Sequence, residues 1–191
     1  MTDPEDLDRW RALRKTVVRI GPHPFLRAKV GDMRRFEADT GLRLPRGYRG
    51  FIRTFGAGGL GGSGGYCRVW TLSGVAWAMK VYDFQDILGR KSEQLARLVY
   101  FADSFLGHAF FWDPGEVTDP NGPEYAIYCL SHGDLDVDCI AIDFYSFITS
   151  VCLDAEGYCR ALKYSEVTIG PDRVFEPYPV PAPQKRKTQT R

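Results

Sequence analysis

Apolar residues at Tyr48, Phe51, Ile52 and Phe55 fall at i, i+3, i+4 and i+7, one stripe of an α-helix. Pro45 suits the first helical position, where its fixed φ fits and no N–H is required. Gly56 supplies the left-handed conformation that closes a helix. Just upstream, Met33, Phe36 and Thr40 predict a shorter helix ended by Gly41. The two helices meet at a tight elbow, with Leu42 and Leu44 turned into the core. Nearer the N-terminus, Asp3 reads as a helix cap, and Leu7, Trp10, Leu13, Val17 and Ile20 continue at near-helical spacing until Gly21-Pro22.

Beyond the central helix pair the period changes. Gly56 to Gly65 holds seven glycines in ten residues and reads as a flexible connector. Tyr66 to Leu72 and Val75 to Val81 read as strands of a hairpin around Ser73-Gly74. Val75, Trp77, Met79 and Val81 alternate with Ala76, Ala78 and Lys80, the period of a half-buried strand. Asp83 caps a short helix carrying Phe84, Ile87 and Leu88. Leu98 to Ala102, His108 to Trp112 and Tyr125 to Leu130 are short strands rich in aromatic and aliphatic residues. Asp113-Pro114-Gly115 reads as the start of a loop. Asp143 opens a helix with Phe144, Phe147, Ile148 and Val151 on one face, and Tyr158 to Val167 adds a strand or short helix. These elements predict an α+β fold: a small, mostly antiparallel sheet with helices packed on one face. The organisation expected is an N-terminal helix and loop over 1–25, a main domain over 26–175 and a proline-rich, then basic, disordered tail over 176–191.

A chain of 191 residues suffices for one well-buried core. A formal net charge of +1 offers no strong field to draw in nucleic acid. No apolar run approaches the ~20 residues of a membrane helix. The acidic start, Asp3-Pro4-Glu5-Asp6, does not resemble a signal peptide, and the five scattered cysteines fit reduced thiols. A cytoplasmic protein is the expectation.

The order Glu37, Gly41, Leu44-Pro45, Tyr48, Phe51-Ile52 and then a glycine cluster resembles the opening of the SUKH superfamily. That superfamily includes bacterial immunity proteins and a yeast cell-wall-synthesis regulator. Ala141-Ile142-Asp143-Phe144-Tyr145-Ser146-Phe147-Ile148 is similar to its closing motif, with Asp143 in place of the usual capping Ser. Ala102-Asp103-Ser104 to Trp112 is similar to its middle strand pair, so the resemblance spans roughly residues 30–153. One departure is Phe55-Gly56-Ala57-Gly58-Gly59, where the family more often has a polar residue before Gly-Gly. The resemblance implies a SUKH-like fold and a non-enzymatic immunity protein that occludes a cognate toxin. Such toxins, nucleases among them, often present basic surfaces. The motif residues then build the platform and the exterior does the binding. The eukaryotic relatives imply an alternative, a regulatory scaffold or peptide-binding domain.

Chemical motifs add little to this. Gly56-Ala57-Gly58-Gly59-Leu60-Gly61 fits the string G-x-G-x-x-G, but a nucleotide site needs a strand before it and a helix after it. Cys129 and His132 make one ligand pair for zinc, whereas Cys139 lacks a second at similar spacing. His23 between two prolines reads as solvated, and no local pattern sets a thiol beside His23 or His108. A small nucleotide- or metal-linked enzyme is therefore the minor alternative, and no catalytic residue, metal or cofactor is assigned. Asp134, Asp136 and Asp138, with Asp143 beyond, form an acidic stretch that lacks the closing Glu of a calcium loop. Its plain reading is a solvated loop. Its functional reading is a partner-binding surface in which Asp134, Asp136 and Asp138 steer a basic toxin. Trp70, Trp77 and Trp112 are candidate anchors that read first as core.

Overall fold

The computed structural model describes residues 4–62, 67–131, 136–163 and 172–179. In chain order the first elements are α1 (Pro4–Thr16), β1 (Val18–Arg19), α2 (Val30–Thr40), α3 (Arg46–Thr54), β2 (Gly58–Gly61) and β3 (Cys67–Val69). Next come α4 (Leu72–Val81), α5 (Phe84–Leu88), α6 (Glu93–Arg97), β4 (Val99–Asp103), β5 (Ala109–Asp119), β6 (Glu124–Leu130) and β7 (Val137–Ala141). Last are α7 (Phe144–Phe147), a π-helical turn (Ile148–Cys152), α8 (Ala155–Ala161) and β8 (Asp172–Pro177). The described strands form one sheet in the order β1-β8-β2-β3-β4-β5-β6-β7. Every pairing is antiparallel except the short β1–β8 contact. The α+β architecture read from the sequence is the one observed.

The core forms on α3. Tyr48, Phe51, Ile52 and Phe55 are all buried, as their helical spacing predicts. Phe51 stacks on Phe55 at 5.1 Å and meets Trp10 of α1, Phe144 of α7 and Phe175 of β8 at 5.4, 5.6 and 6.0 Å. Tyr48 reaches Trp112 of β5 at 5.1 Å. The helices approach closely where α3 has no side chain: a Cβ on Gly50 would stand 2.2 Å from the Trp10 ring. Alternate residues of β5 serve opposite faces of the sheet. Phe110 and Trp112 join this core, whereas Ala109 and Phe111 join a smaller cluster with Phe84, Ala126, Tyr128 and Leu130.

The elbow forms as its residue types demand. Gly41 ends α2 in the left-handed region at φ 70°, its N–H bonded to the Glu37 carbonyl. Leu44 is fully buried. Pro45 sits one position earlier than expected, at the N-cap of α3. Asp83 and Asp143 cap α5 and α7, donors reaching them from Gln85 at 3.0 Å and Ser146 at 2.6 Å.

Several expectations are corrected. Val75 to Val81 is helix α4 rather than a strand, so the hairpin around Ser73-Gly74 does not exist. Those two residues instead form the first helical turn, where the Gly74 N–H donates to Thr71 Oγ1 at 3.1 Å. Thr71 as a cap and Ala76 and Ala78 as strong helix formers outweigh the two-residue alternation. The preceding strand is only β3, and Tyr66 lies outside the described residues. The glycine run is no mere connector: β2 lies between β8 and β3. A Cβ on Gly58 would stand 2.4 Å from the Glu176 carbonyl, so glycine permits the close pairing. Asp113-Pro114-Gly115 lies within β5, where the register with β6 slips after Trp112. The first helix stops at Thr16, and Val18–Arg19 pair with β8 instead. Residues 155–161 form a helix, and Glu176-Pro177 close a strand. Asp3 and the tail from residue 180 lie outside the described residues. All five cysteines are free thiols, four buried and Cys139 exposed.

A buried carboxylate joins the sheet to two helix starts. Glu124 of β6 accepts the Gly47 N–H at the start of α3 through Oε1, and Phe144 N–H of α7 lies 3.5 Å from Oε2. Beside it Arg46 pairs with Asp6 at 3.1 Å and Asp119 at 2.9 Å. Burial pushes the Glu124 carboxyl up to about 7, and Asp143 and Asp6 push the same way; the two amides pull down without offsetting them.

Two predictions follow from this packing. Gly50→Ala forces Trp10 off α3 and is expected to destabilise the fold by about 1–3 kcal/mol, read as a lower urea midpoint at unchanged slope. Because the folded Glu124 holds its proton above the unfolded value of 4.5, its contribution is complete below pH 4.5 and lost as pH rises through about 7. Denaturation at pH 5 and pH 8 should differ by up to about 3 kcal/mol from this group. Glu124→Gln, which cannot ionise, should flatten that dependence.

Candidate interaction surface

Helix α4 buries Val75 and Ala78, packs half-buried Leu72 and Ala76 against the core, and leaves Trp77, Met79 and Val81 outside. Trp77 is 53 % exposed, Val81 54 % and Ile87 of α5 54 %, with Met79 and Tyr82 also exposed. The strand-like alternation of Trp77, Met79 and Val81 thus lies on a solvent-facing part of a helix. A soluble domain exposes single apolar residues commonly, but Trp77 and Val81, one turn apart on α4, with Tyr82 packed against Trp77, make an apolar ridge that marks an interaction surface.

The ridge is anchored from below. Trp77 meets Tyr82 edge-on at 5.6 Å, and Tyr82 contacts Phe84 and Tyr100 at 5.8 and 5.5 Å. Phe84 then meets the buried Phe111 at 4.6 Å, and Tyr100 meets Trp70 at 4.3 Å. The aromatic chain runs from surface to core, so Tyr82 is held in place before any partner arrives. Beside the ridge lies an open groove of about 570 Å³, lined among others by Leu42, Val81, Tyr82, Leu95, Leu98 and Tyr100. At its far side Arg97 forms a two-pronged pair with the buried Asp113 at 2.5 and 3.0 Å. Donating to the Asp113 carboxylate raises the Arg97 pKa, and burial raises that of Tyr100, so the guanidinium stays charged and the phenol neutral. The groove can hold an apolar side chain with polar groups at its rim.

Of the predicted anchors, Trp112 is fully buried and Trp70 half-buried, as core residues should be; Trp77 is not. The strand reading hides Met79 and Val81, and Ile87 is hidden because it reads as part of the apolar side of the short helix that Asp83 caps. The signal that finds the first two is the cap at Thr71, which sets a helical period over the same letters.

The acidic stretch is less concentrated than its spacing suggests. Asp134 lies outside the described residues. Asp136 and Asp138 stand at the start of edge strand β7, and Asp138 pairs with Lys163 at 2.7 Å. Asp143 is used as a helix cap. Cys129 is buried and His132 lies outside the described residues. His108 is buried, its Nδ1 2.9 Å from Ser104 Oγ. Among the described residues no group of three or more Cys, His, Asp or Glu side chains is arranged to hold a metal.

The residues that carried the resemblance serve the scaffold. Glu37 Oε1 accepts the Leu44 N–H at 3.0 Å and Arg49 Nη1 at 2.8 Å, which pins the elbow. The Tyr48 hydroxyl donates to the Trp70 carbonyl at 2.9 Å. Gly56 has φ 85°, and a Cβ there would stand 2.3 Å from the Leu26 carbonyl oxygen. Each motif position therefore has a structural reason that any member sharing this elbow would share. Comparison with curated proteins gives no match. The sequence model of the SMI1 / KNR4 family (SUKH-1) matches residues 28–150, from just before α2 into the π-helical turn. Well over half of the chain lies in that match, and the protein belongs to the SMI1 / KNR4 (SUKH-1) family.

Proposed function

We propose that this SUKH-family chain is a protein-binding module, and that it serves as an immunity protein neutralising a cognate toxin by occlusion. The observation that carries the binding role is the ridge of exposed Trp77 and Val81, one turn apart on α4, with Tyr82 anchored against Trp77 beside an open groove. Aromatic anchors of this kind supply most of the energy of protein interfaces. Family membership supports the immunity assignment, through the bacterial immunity proteins that the superfamily includes. Occlusion needs no bond-making group in the inhibitor; it needs a rigid face that covers the toxin's site. In this reading Asp136 and Asp138, with Asp134 between β6 and β7, steer a basic toxin toward the complex. No helix among the described residues is long and apolar enough to cross a membrane. The proposed setting is the cytoplasm, where a toxin made in the same cell would be met.

Co-expression with the candidate toxins encoded beside this gene tests the reading. Protection and a recoverable one-to-one complex are expected with one of them. Trp77→Ala should weaken that complex by about 2 kcal/mol, roughly thirtyfold, with the melting temperature nearly unchanged. Toxicity that persists with every neighbour, and no complex, would remove the immunity assignment. Recovery of several housekeeping proteins instead would favour a regulatory scaffold.

A further inference from the structure

Three arginines gather around one ring, Phe25, between α1 and α2. Arg14 comes from the last turn of α1, Arg19 from β1 and Arg27 from the segment before α2. Their guanidinium carbons lie 4.5, 5.8 and 5.6 Å from the centroid of Phe25. Phe25 is itself clamped to the core. It stacks on Phe175 at 5.8 Å and 14°, and meets Phe55 edge-on at 6.5 Å. The ring is thus a fixed platform, and the three cations are collected on it.

What sets this cluster apart is that its unmatched charges are gathered on one ring. The more buried arginines have carboxylate partners: Arg46 with Asp6 and Asp119, Arg49 with Glu37, Arg68 with Asp103, Arg97 with Asp113. Among the described residues none of Arg14, Arg19 and Arg27 forms an ion pair. More charge of the same sign lies close by. Lys15 follows Arg14, and Arg173 donates to Thr16 Oγ1 at 3.3 Å. Glu176 packs beside Gly21, and Asp172 begins β8; neither pairs with the three. Burial first, and the Arg27 charge second, hold the Arg14 pKa below the ordinary arginine value. Attraction to Phe25 and to the carbonyl end of α1 favours one cation here, and does not call for three.

Three adjacent guanidiniums offer planar donor forks that match carboxylates two oxygens at a time. Firm nucleic-acid binding commonly neutralises about 6–10 phosphates, more than this compact group can reach. We propose that the Arg14–Arg19–Arg27 cluster on Phe25 is a docking point for a carboxylate-rich segment of a partner protein. This rests on the reading of the chain as a protein-binding module. It gives that partner an acidic patch, in addition to any basic surface facing Asp136 and Asp138.

The test uses the full chain and a fluorescein-labelled octaglutamate peptide, followed by anisotropy at 50 and 200 mM salt. Saturable binding that weakens with salt is expected. Arg19→Ala/Arg27→Ala should weaken it at least tenfold, and Lys80→Ala, on α4, should leave it unchanged. The single variant Arg27→Glu gives a second measure should the double variant melt early. Absence of saturable binding, or equal binding by folded double and single variants, would overturn the site. Tighter binding of a dodecathymidine strand than of the peptide would also overturn it, in favour of phosphate recognition. The titration contains no toxin, so its failure leaves the immunity reading standing, and failed protection in cells leaves the titration's result intact.

Discussion

Phe51 touches rings from three other parts of the chain as well as from its own helix, and the fold is arranged so that it can. Trp10, Phe144 and Phe175 come from α1, α7 and β8, elements far apart in sequence, and Phe55 closes α3 itself. A short helix such as α3 has little stability of its own in water. It persists because its aromatic stripe is the surface on which the others pack. The cluster holds the first helix and the last described strand to the elements between them. Gly50 and Gly58 matter for the same reason: they let a ring or a neighbouring strand come closer than any side chain would allow.

Burying so many rings leaves few places for charge, and the exceptions are organised. Glu124 lies where α3, α7 and β6 converge, facing two helix-start amides. Its desolvation is only partly compensated, which is why its proton is held so firmly. Arg46 beside it is surrounded by Asp6, Asp119 and Glu124; their attraction outweighs its own burial and raises its pKa. The first helix is thereby attached twice, by Trp10 through apolar contact and by Asp6 through charge.

The legible parts of this fold are those in which one period acts alone. Tyr48, Phe51, Ile52 and Phe55 could be read because nothing competes with the helical spacing. Asp83 and Asp143 could be read because a cap acts through its neighbours within three residues. Val75 to Val81 reads as a strand because its letters satisfy two periods at once, and only the cap at Thr71 tells them apart. The glycines of β2 were equally silent. Their strand exists because β3 and β8 lie on either side of it, and that is a long-range fact. The candidate surface suffered most from this. Trp77 and Met79 resemble core residues until α4 is placed, and the acids of β7 resemble a patch until Lys163 is found beside Asp138.

The placement of unpaired groups separates platform from function. Inside, Glu37, Tyr48, Gly41 and Gly56 have partners or steric reasons, so their recurrence in a family describes an elbow and nothing about binding. Outside, two features lack an internal reason: an aromatic ridge anchored to the core but not covered by it, and three arginines gathered on a fixed ring without a carboxylate among them. Each is preorganised by the packing beneath it, so a partner meets side chains already largely ordered, and the entropy lost on binding is smaller. An apolar ridge and a charged site also act differently on association. Charge acts at a distance, speeds encounter and weakens with salt, whereas the ridge acts at contact and slows escape. A module carrying both could exchange the chemistry of its partner by changing a few exterior residues while the elbow and its aromatic core stayed as they are.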